Sequence, residues 1–367
     1  MRSSIVAIAA AYLTSHETAA THPTNNNNQI TMKLSTLSSS ILLVTLSSLS
    51  TTTTTVTGFS APSDSINNNN NKRVLVTGAA GQTGQHIFRK LLSKPGYTPI
   101  GTVRSEESRQ ALLSGTTATA ITTNNDDYNI VIPPESVVVC DITSTDSTAL
   151  LNDLLSNCDA LMICTSAKPA PTGQINTETN RPIFGFPMGQ PQLVDWIGQQ
   201  KLIDAAAAKQ QQQHSNNNKK EVHVVLCGSM GGTNPNNSLN NLGKINNDGN
   251  NTGNILKWKR KSELYLQQQS GIKYTIIHPG GLLNEPGNQR ELCVGVDDVI
   301  IGTRNNSVPR EDVANVMIAA LEYECYQGRS FDLVSKPVGE GVCTRDYGRL
   351  LDCLEGRNCD YSLGEIA

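Results

Sequence analysis

Clusters of basic residues are missing from this sequence. The net charge is −3 and the lysines and arginines are scattered, so the positive patch that a nucleic-acid phosphate backbone demands is absent and nucleic-acid binding is excluded. A C-x-x-C pair is missing too. The nine cysteines are odd in number, and Cys140, Cys164 and Cys227 sit in apolar, strand-like runs, as buried free thiols do. Reduced structural thiols are therefore expected, with no metal site and no disulfide framework. The apolar stretch around Ile41 to Leu46 is too short and too rich in hydroxyls for a bilayer, which takes about 20 apolar residues to span. No stable membrane span is expected in the mature protein. Apolar residues make up only 37% of the 367 positions, but the shortfall is concentrated in Asn, Gln, Ser and Thr tracts, which predicts one domain with appendages.

The first of these appendages, residues 1–71, reads as a targeting presequence and low-complexity leader. From Met32 the chain runs MKLSTLSSSILLVTLSSLS, a lysine followed by a short apolar core, and a signal peptide is expected over about 32–58. Small residues then precede Phe59, which resembles the bipartite plastid presequence of algae with secondary plastids, where a phenylalanine opens the transit segment. The resemblance implies a plastid, stromal location. An ordinary secretory signal is the alternative, and the sequons at Asn236, Asn250 and Asn305 would then be open to glycosylation. The free cysteines weigh against it. Met1 and Met32 both stand as possible starts.

From Lys72 the pattern becomes strand, glycine turn, helix, several times over, which predicts an α/β fold: a single Rossmann-type, doubly wound parallel sheet with helices on both faces, spanning 72–338. The strands read RVLVTG, PIGTVR, SVVVCDI, ALMICTSA, VHVVLCGS and YTIIHPGG, near-continuously apolar as strands buried on both faces must be. Helices fall between them, notably around HIFRKLL, VDWIGQQKLIDAAAA and ILKWKRKSELYLQQQ. The Asn- and Gln-rich stretches Thr123 to Asn129, Gln210 to Asn218 and Asn234 to Asn254 are expected to be surface loops with no role of their own. Lys168 to Gln192, rich in Pro, Gly and Thr, is long for a connection and is expected to form a loop over a ligand. The tail 339–367 carries Cys343, Cys353 and Cys359 at spacings that match no metal pattern.

TGAAGQTG sets Gly78, Gly81 and Gly84 directly after a strand and at the mouth of a helix, the context of a dinucleotide-phosphate loop. Gly78 suits the tight turn, Gly81 the approach of backbone to pyrophosphate and Gly84 close helix packing; Thr77, Gln82 and Thr83 complete the loop. About twenty residues on, where an acid would hold the ribose 2′-hydroxyl of NAD, the second strand ends in Val103-Arg104-Ser105. An arginine there suits a 2′-phosphate, so NADP(H) is the expected cofactor. Asp141 and Ile142, ending the third strand, would meet the adenine.

These residues resemble the atypical branch of the short-chain dehydrogenase/reductase superfamily, its NAD(P)H-binding or NmrA-like group. The likeness covers Lys72 to about Pro337 and rests on VLVTGAAGQTGQ, VDWIGQ, GSMGGTNP, GNILKWKRKSE, YTIIHPGGLL and VPREDVA. It implies that Thr165, Ser166 and Ala167 line the ribose and nicotinamide side and that Pro279, Gly280 and Gly281 lie beside the nicotinamide. The superfamily's Tyr-x-x-x-Lys pair would place its lysine at Lys259, and Ser229 stands where the substrate-orienting serine does. The tyrosine is missing: Ile255, four residues before Lys259 and on the same helix face, has no proton to give. Tyr265 is more than half a turn away around the helix and is expected to pack on the far side. His278, at the C-terminal end of a strand, is the candidate acid in its stead, and Trp196 is expected in the core rather than against substrate.

Two functions stay open on this reading. One is an NADPH-dependent oxidoreductase acting on a small carbonyl or conjugated compound. The other, motivated by Ile255, is a non-catalytic NADP(H)-binding redox sensor or scaffold with a protein partner.

Overall fold

The computed structural model describes residues 71–115, 130–177, 180–214, 221–244, 253–300 and 306–366. These belong to one unit, Asn69–Ala367; the presequence and the Thr123 to Asn129 tract lie outside the described residues.

The apolar runs form the parallel strands that their composition predicts. β1 (Lys72–Thr77) pairs in parallel with β2 (Tyr97–Val103) on one side and β4 (Ala160–Ile163) on the other, Leu75 lying opposite Ile100 and Leu161. β3 (Val137–Val139) continues outward from β2, while β7 (His223–Cys227) and β8 (Lys273–Pro279) continue from β4. The strand order β3-β2-β1-β4-β7-β8 reverses between β1 and β4. At such a reversal the crossover connections leave to opposite faces, and a crevice opens at the C-terminal strand ends.

Alternation along the strands divides the core between two faces. Val74, Val76, Met162, Val225 and Ile277 pack with α1 (Gly84–Ser93), α2 (Glu106–Leu113) and α6 (Arg310–Glu322) through Ile87, Phe88, Leu112, Val313 and Met317. Leu75, Leu161, Ile163, Val224, Leu226 and Ile276 pack on the other face with α3 (Ser147–Ser156), α4 (Gln199–His214) and α5 (Ile255–Gln267). A turn of π-helix over Gln192–Gly198 leads into α4.

Beyond β8 lies β12 (Arg329–Ser335), a further parallel strand with Phe331 opposite Ile277. Periodicity does not reveal it, because the polar Ser330, Asp332 and Ser335 interrupt its apolar pattern although all are buried. β10 (Leu292–Gly295) and β11 (Ser307–Pro309) pair antiparallel with β12, and β9 (Gly281–Leu283) pairs with β11. Three expectations need correction. Gln210 to His214 belong to α4 rather than to a loop, and Gln210 is buried, its Oε1 accepting from the Val222 amide at 3.0 Å. Lys168 to Gln192 is not an irregular loop: it folds as a hairpin of β5 (Ala170–Asn176) and β6 (Arg181–Gly185). Nor is Asn234 to Asn254 merely an insertion. Asn240 is buried, and its Oδ1 accepts from the Leu256 amide at 3.0 Å, satisfying a free N–H at the start of α5. The C-terminal segment also joins the body, since Leu351, Leu354 and Cys359 are buried in the first of the two cores. No helix among the described residues is long and apolar enough to cross a membrane.

Two core histidines carry a pH dependence. Burial pushes His86 and His223 down to about 4. The Thr275 hydroxyl donates to the Tyr326 carbonyl, so its oxygen accepts from Nε2 of His223 at 2.9 Å, and that ring sits neutral. With folded values below the ordinary 6.5, the unfolded chain takes up protons first as pH falls. The stability these residues contribute is complete above 6.5 and is lost toward 4, at a limiting slope of about 1.4 kcal/mol per pH unit for each histidine. Asp312, raised to about 6 by burial, and His278, raised well above the histidine range chiefly by Glu263, oppose them over parts of that window. Measured against wild type by urea denaturation, His223→Gln should remove a loss of about 1.4 kcal/mol in stability between pH 7.5 and pH 5.5. Identical pH profiles for wild type and His223→Gln would refute the assignment.

Candidate active site

The site begins where β1 ends. The Thr77 hydroxyl accepts from the Cys164 amide and donates to the Met162 carbonyl, both at 3.3 Å, fixing the end of β1 to that of β4. Gly78 then turns with φ +67°, a region open to glycine. The amide of Gly81 bonds back to the Gly78 carbonyl at 2.7 Å. A Cβ on Gly84 would stand 2.2 Å from that same oxygen, and one on Gly81 would stand 2.9 Å from it. Both glycines are therefore required by the closure of the loop on itself. Among the described residues the amides of Gln82 and Thr83 have no protein acceptor; they lie at the positive end of α1, where an anion is stabilised.

Arg104, at the C-terminal end of β2, donates to the Met188 carbonyl at 2.7 Å, so its guanidinium reaches toward the segment that follows the β5–β6 hairpin. Ser105 caps α2 by accepting from the Ser108 amide. After β3, Asp141 Oδ1 accepts from both the amide and the hydroxyl of Thr143, at 2.9 and 2.7 Å. Ile142 is buried against Gly198, where a Cβ would meet its side chain at 2.7 Å.

The segment after β4 is held by two side chains not singled out from sequence. Asp195 Oδ2 accepts from the Ala167 amide at 3.0 Å, and Gln199 donates to the Thr165 carbonyl at 3.0 Å. Ser262 of α5 donates in turn to Gln199 Oε1 at 2.6 Å. The other oxygen of Asp195 meets the ammonium of Lys259 at 2.9 Å, and both side chains are buried. Burial opposes the lysine's charge, but the attraction of Asp195 and its hydrogen bond raise the pKa above the ordinary lysine range. Lys259 is a fixed cation. The available signal was the spacing within VDWIGQ: two polar side chains four residues apart in an otherwise apolar helical stretch. Thr165 Oγ1 and Gln190 Oε1 are buried without partners among the described residues, polar atoms left for a ligand.

Ser229 is half-buried beyond the end of β7, and its hydroxyl donates to the Met230 carbonyl at 3.1 Å. The Met230 amide donates to Pro279, bringing Ser229 beside Pro279 and Gly280 at the end of β8. Gly280 has its own constraint, since a Cβ there would lie 2.4 Å from the Asn306 carbonyl. Thr77 to Gly84, Thr165 to Ala167, Ser229, Pro279 and Gly280 thus follow the C-terminal ends of adjacent strands, with Lys259 beside them from α5. Ile255 heads that helix, buried and apolar. Tyr265 bonds to Asp204 on α4, and its ring meets Trp196 edge-on at 5.5 Å; Trp196 is half-buried beneath the Lys261 ammonium rather than in the core expected for it.

His278 occupies a different environment from these groups. It is 4% exposed, Nε2 lies 3.1 Å from Glu263 and Nδ1 lies 3.4 Å from Asp332. Burial opposes its protonation, but Glu263 leads the groups that raise its pKa well above the histidine range. With both nitrogens facing side chains inside the protein, the ring is turned away from any substrate. Gly228 makes the room: a Cβ there would stand 2.4 Å from Glu263 Oε1 and 2.7 Å from His278 Cδ2.

Residues 78–324 match the NAD(P)H-binding family. An uncharacterized chloroplastic protein of Arabidopsis thaliana, At2g37660, is 39% identical over 76% of this chain and 74% of its own length. Sanguinarine reductase of Eschscholzia californica is 37% identical over 76% of this chain and 94% of its own. Among solved structures, the oxidoreductase ylbE of Lactococcus lactis aligns with 78% of this chain and 98% of its own at 16% identity and a TM-score of 0.47.

The Lys259 pair sets a stability order. Asp195→Ala leaves a buried ammonium without its partner and should cost about 3–5 kcal/mol. Asp195→Asn keeps an acceptor for Ala167 and should cost less. Equal unfolding midpoints for wild type and Asp195→Ala would refute the pairing.

Proposed function

The chain belongs to the NAD(P)H-binding family of atypical short-chain dehydrogenase/reductases, and from that premise we propose that it is an NADPH-dependent reductase of a small carbonyl or conjugated compound, working in the plastid. The observation that carries this reading is the buried Asp195–Lys259 pair beside the unpartnered Thr165 hydroxyl at the reversal of strand order. A fixed cation and a free hydroxyl suit the ribose hydroxyls of a dinucleotide. The amides of Gln82 and Thr83, at the mouth of α1, suit its pyrophosphate.

Arg104 carries the choice between the two dinucleotides. Its planar fork matches a 2′-phosphate in two hydrogen bonds, and the Met188 carbonyl is an acceptor that a phosphate replaces. Asp141, with one oxygen committed to Thr143, has the other for the adenine amine. When bound, the reduced nicotinamide supplies a hydride. Ser229 orients the acceptor, while Pro279 and Gly280 bound the nicotinamide and Thr165 to Ala167 hold it from the β4 side. With Ile255 where the superfamily has its acid, the proton comes from water at Ser229, and His278 serves the wall of the site rather than the reaction. The chloroplastic relative and the MKLSTLSSS to Phe59 leader support the plastid and a stromal destination.

Ile255 favours a second reading, a non-catalytic NADP(H) sensor for a protein partner. A ligand shifts such a protein only through unequal affinity for its states, so equal binding of NADP+ and NADPH would remove this alternative.

Two outcomes test the reductase. Arg104→Ala should weaken NADPH about 10- to 100-fold in a titration, the loss of a charged hydrogen-bonded pair, and leave NADH unchanged; equal losses would overturn the 2′-phosphate role. Across quinones, aldehydes and enones the wild type should turn over at least one with NADPH, and Lys259→Met should lower kcat/KM about 100-fold or more. NADPH binding without any turnover would leave the sensor.

A further inference from the structure

A second cluster of donor atoms lies where the C-terminal segment closes onto the sheet. His278 comes from β8, Asp332 from β12 and Cys359 from the segment that follows, three places far apart in sequence. All three are at most 8% exposed. His278 Nδ1 stands 3.4 Å from Asp332 Oδ1 and 3.5 Å from Cys359 Sγ, and that sulfur stands 3.9 Å from Asp332 Oδ1. We propose that these atoms bind a divalent transition metal, zinc by its donor set, with water in the fourth position, and that the ion anchors the C-terminal segment.

The distances favour ligands of one ion over partners in direct hydrogen bonds. An N–H···O bond prefers about 2.9–3.0 Å, and 3.4 Å is long for two groups that burial presses together. Zinc bonds of about 2.0–2.1 Å to N and O and about 2.3 Å to S, opened to tetrahedral angles, give edges of about 3.3–3.6 Å between ligand atoms. Two of the three separations meet those edges, and the third needs a contraction of a few tenths of an ångström. The nitrogen, oxygen and sulfur set is too soft for magnesium or calcium and suits zinc.

The surroundings are those of metal ligands. His278 Nε2 lies 3.1 Å from Glu263, and a carboxylate there takes the ring's proton-bearing nitrogen, while the ion displaces the second proton, from Nδ1, to solvent as it binds. Asp332 Oδ2 accepts from the Asp298 amide at 2.7 Å, orienting Oδ1. The Cys359 amide is held by Ser330 through both its hydroxyl and its carbonyl at 3.1 Å. Spacing along the chain had no means of disclosing the set, because only one of the three ligands is a cysteine and each belongs to a different element. The segment that Cys359 anchors runs on to Arg260, which donates to the carbonyls of Asp360 and Leu363. It ends against the Ser229 side of the site: a Cβ on Gly364 would stand 2.3 Å from the Gly232 carbonyl.

Zinc content of the purified full chain, measured by mass spectrometry beside its NADPH binding, should be about one ion per chain. Cobalt(II) titrated into chelator-stripped protein should give a near-ultraviolet thiolate-to-metal band. Cys359→Ser should abolish that band and weaken zinc at least 100-fold, while Cys353→Ser, at an exposed cysteine, keeps both. Should Cys359→Ser fail to fold, the wild type alone decides: zinc restored to stripped protein should raise its melting temperature. A folded, NADPH-binding wild type that carries no metal and shows neither band nor melting shift would overturn the proposal, as would a band that survives Cys359→Ser.

Discussion

A buried ammonium is the constraint around which this site is organised. Lys259 is sealed beneath the ends of β4 and β7, where an isolated charge would cost several kcal/mol, and Asp195 is the group that makes its burial tolerable. The consequence is mechanical as well as electrostatic. Asp195 has two oxygens: one meets Lys259 and the other meets the Ala167 amide, so neutralising the lysine also fixes the segment after β4. Gln199 repeats the arrangement one helical turn on, between the Thr165 carbonyl and Ser262. The helical turn before α4, the β4 loop and α5 are thereby cross-linked by polar contacts inside an apolar layer. That is a rigid support, and it holds a fixed cation for the ribose hydroxyls that we propose it meets.

On the other side of the strand reversal the constraint is backbone packing. The Gly78 carbonyl is approached by both Gly81 and Gly84 more closely than any Cβ allows. The two glycines, commonly explained by the ligand, are needed first by the loop itself. The loop's compactness is what leaves the Gln82 and Thr83 amides without a protein acceptor among the described residues. Rigid support from the lysine side and free donors from the glycine side meet at the reversal between β1 and β4.

How far this was legible depends on whether burial and apolarity coincide. In β1, β2, β4, β7 and β8 they do, so period and turn residues locate the strands and the phosphate loop together. In β12 they part company: Ser330, Asp332 and Ser335 are buried polar residues bonded to the C-terminal segment and to β11, and no apolar pattern survives to mark the strand. Asp195 was hidden for the same reason, a polar residue whose partners are far away in sequence. Asn240 sits in a low-complexity tract whose composition speaks for a loop, yet its side chain starts α5. His278 was visible as a residue at a strand end. The direction of its side chain, into the protein rather than toward a ligand, followed from Glu263 and from a C-terminal segment whose docking no local pattern announces.

Ile255 narrows the chemistry that remains. A tyrosine at that position would give a proton to an oxygen as hydride arrives, and an isoleucine cannot, while both nitrogens of His278 face into the protein. Transition-state charge must then be met by fixed electrostatics. Lys259 is suited to that, since its pairing with Asp195 keeps it charged through the working pH range. An acceptor whose negative charge spreads over a conjugated system, or whose own positive charge is cancelled by the arriving hydride, needs little from a general acid. A simple ketone, which localises a full charge on one oxygen, needs much more. On the reductase reading we propose, the absence of one proton donor thus favours conjugated or electron-poor acceptors.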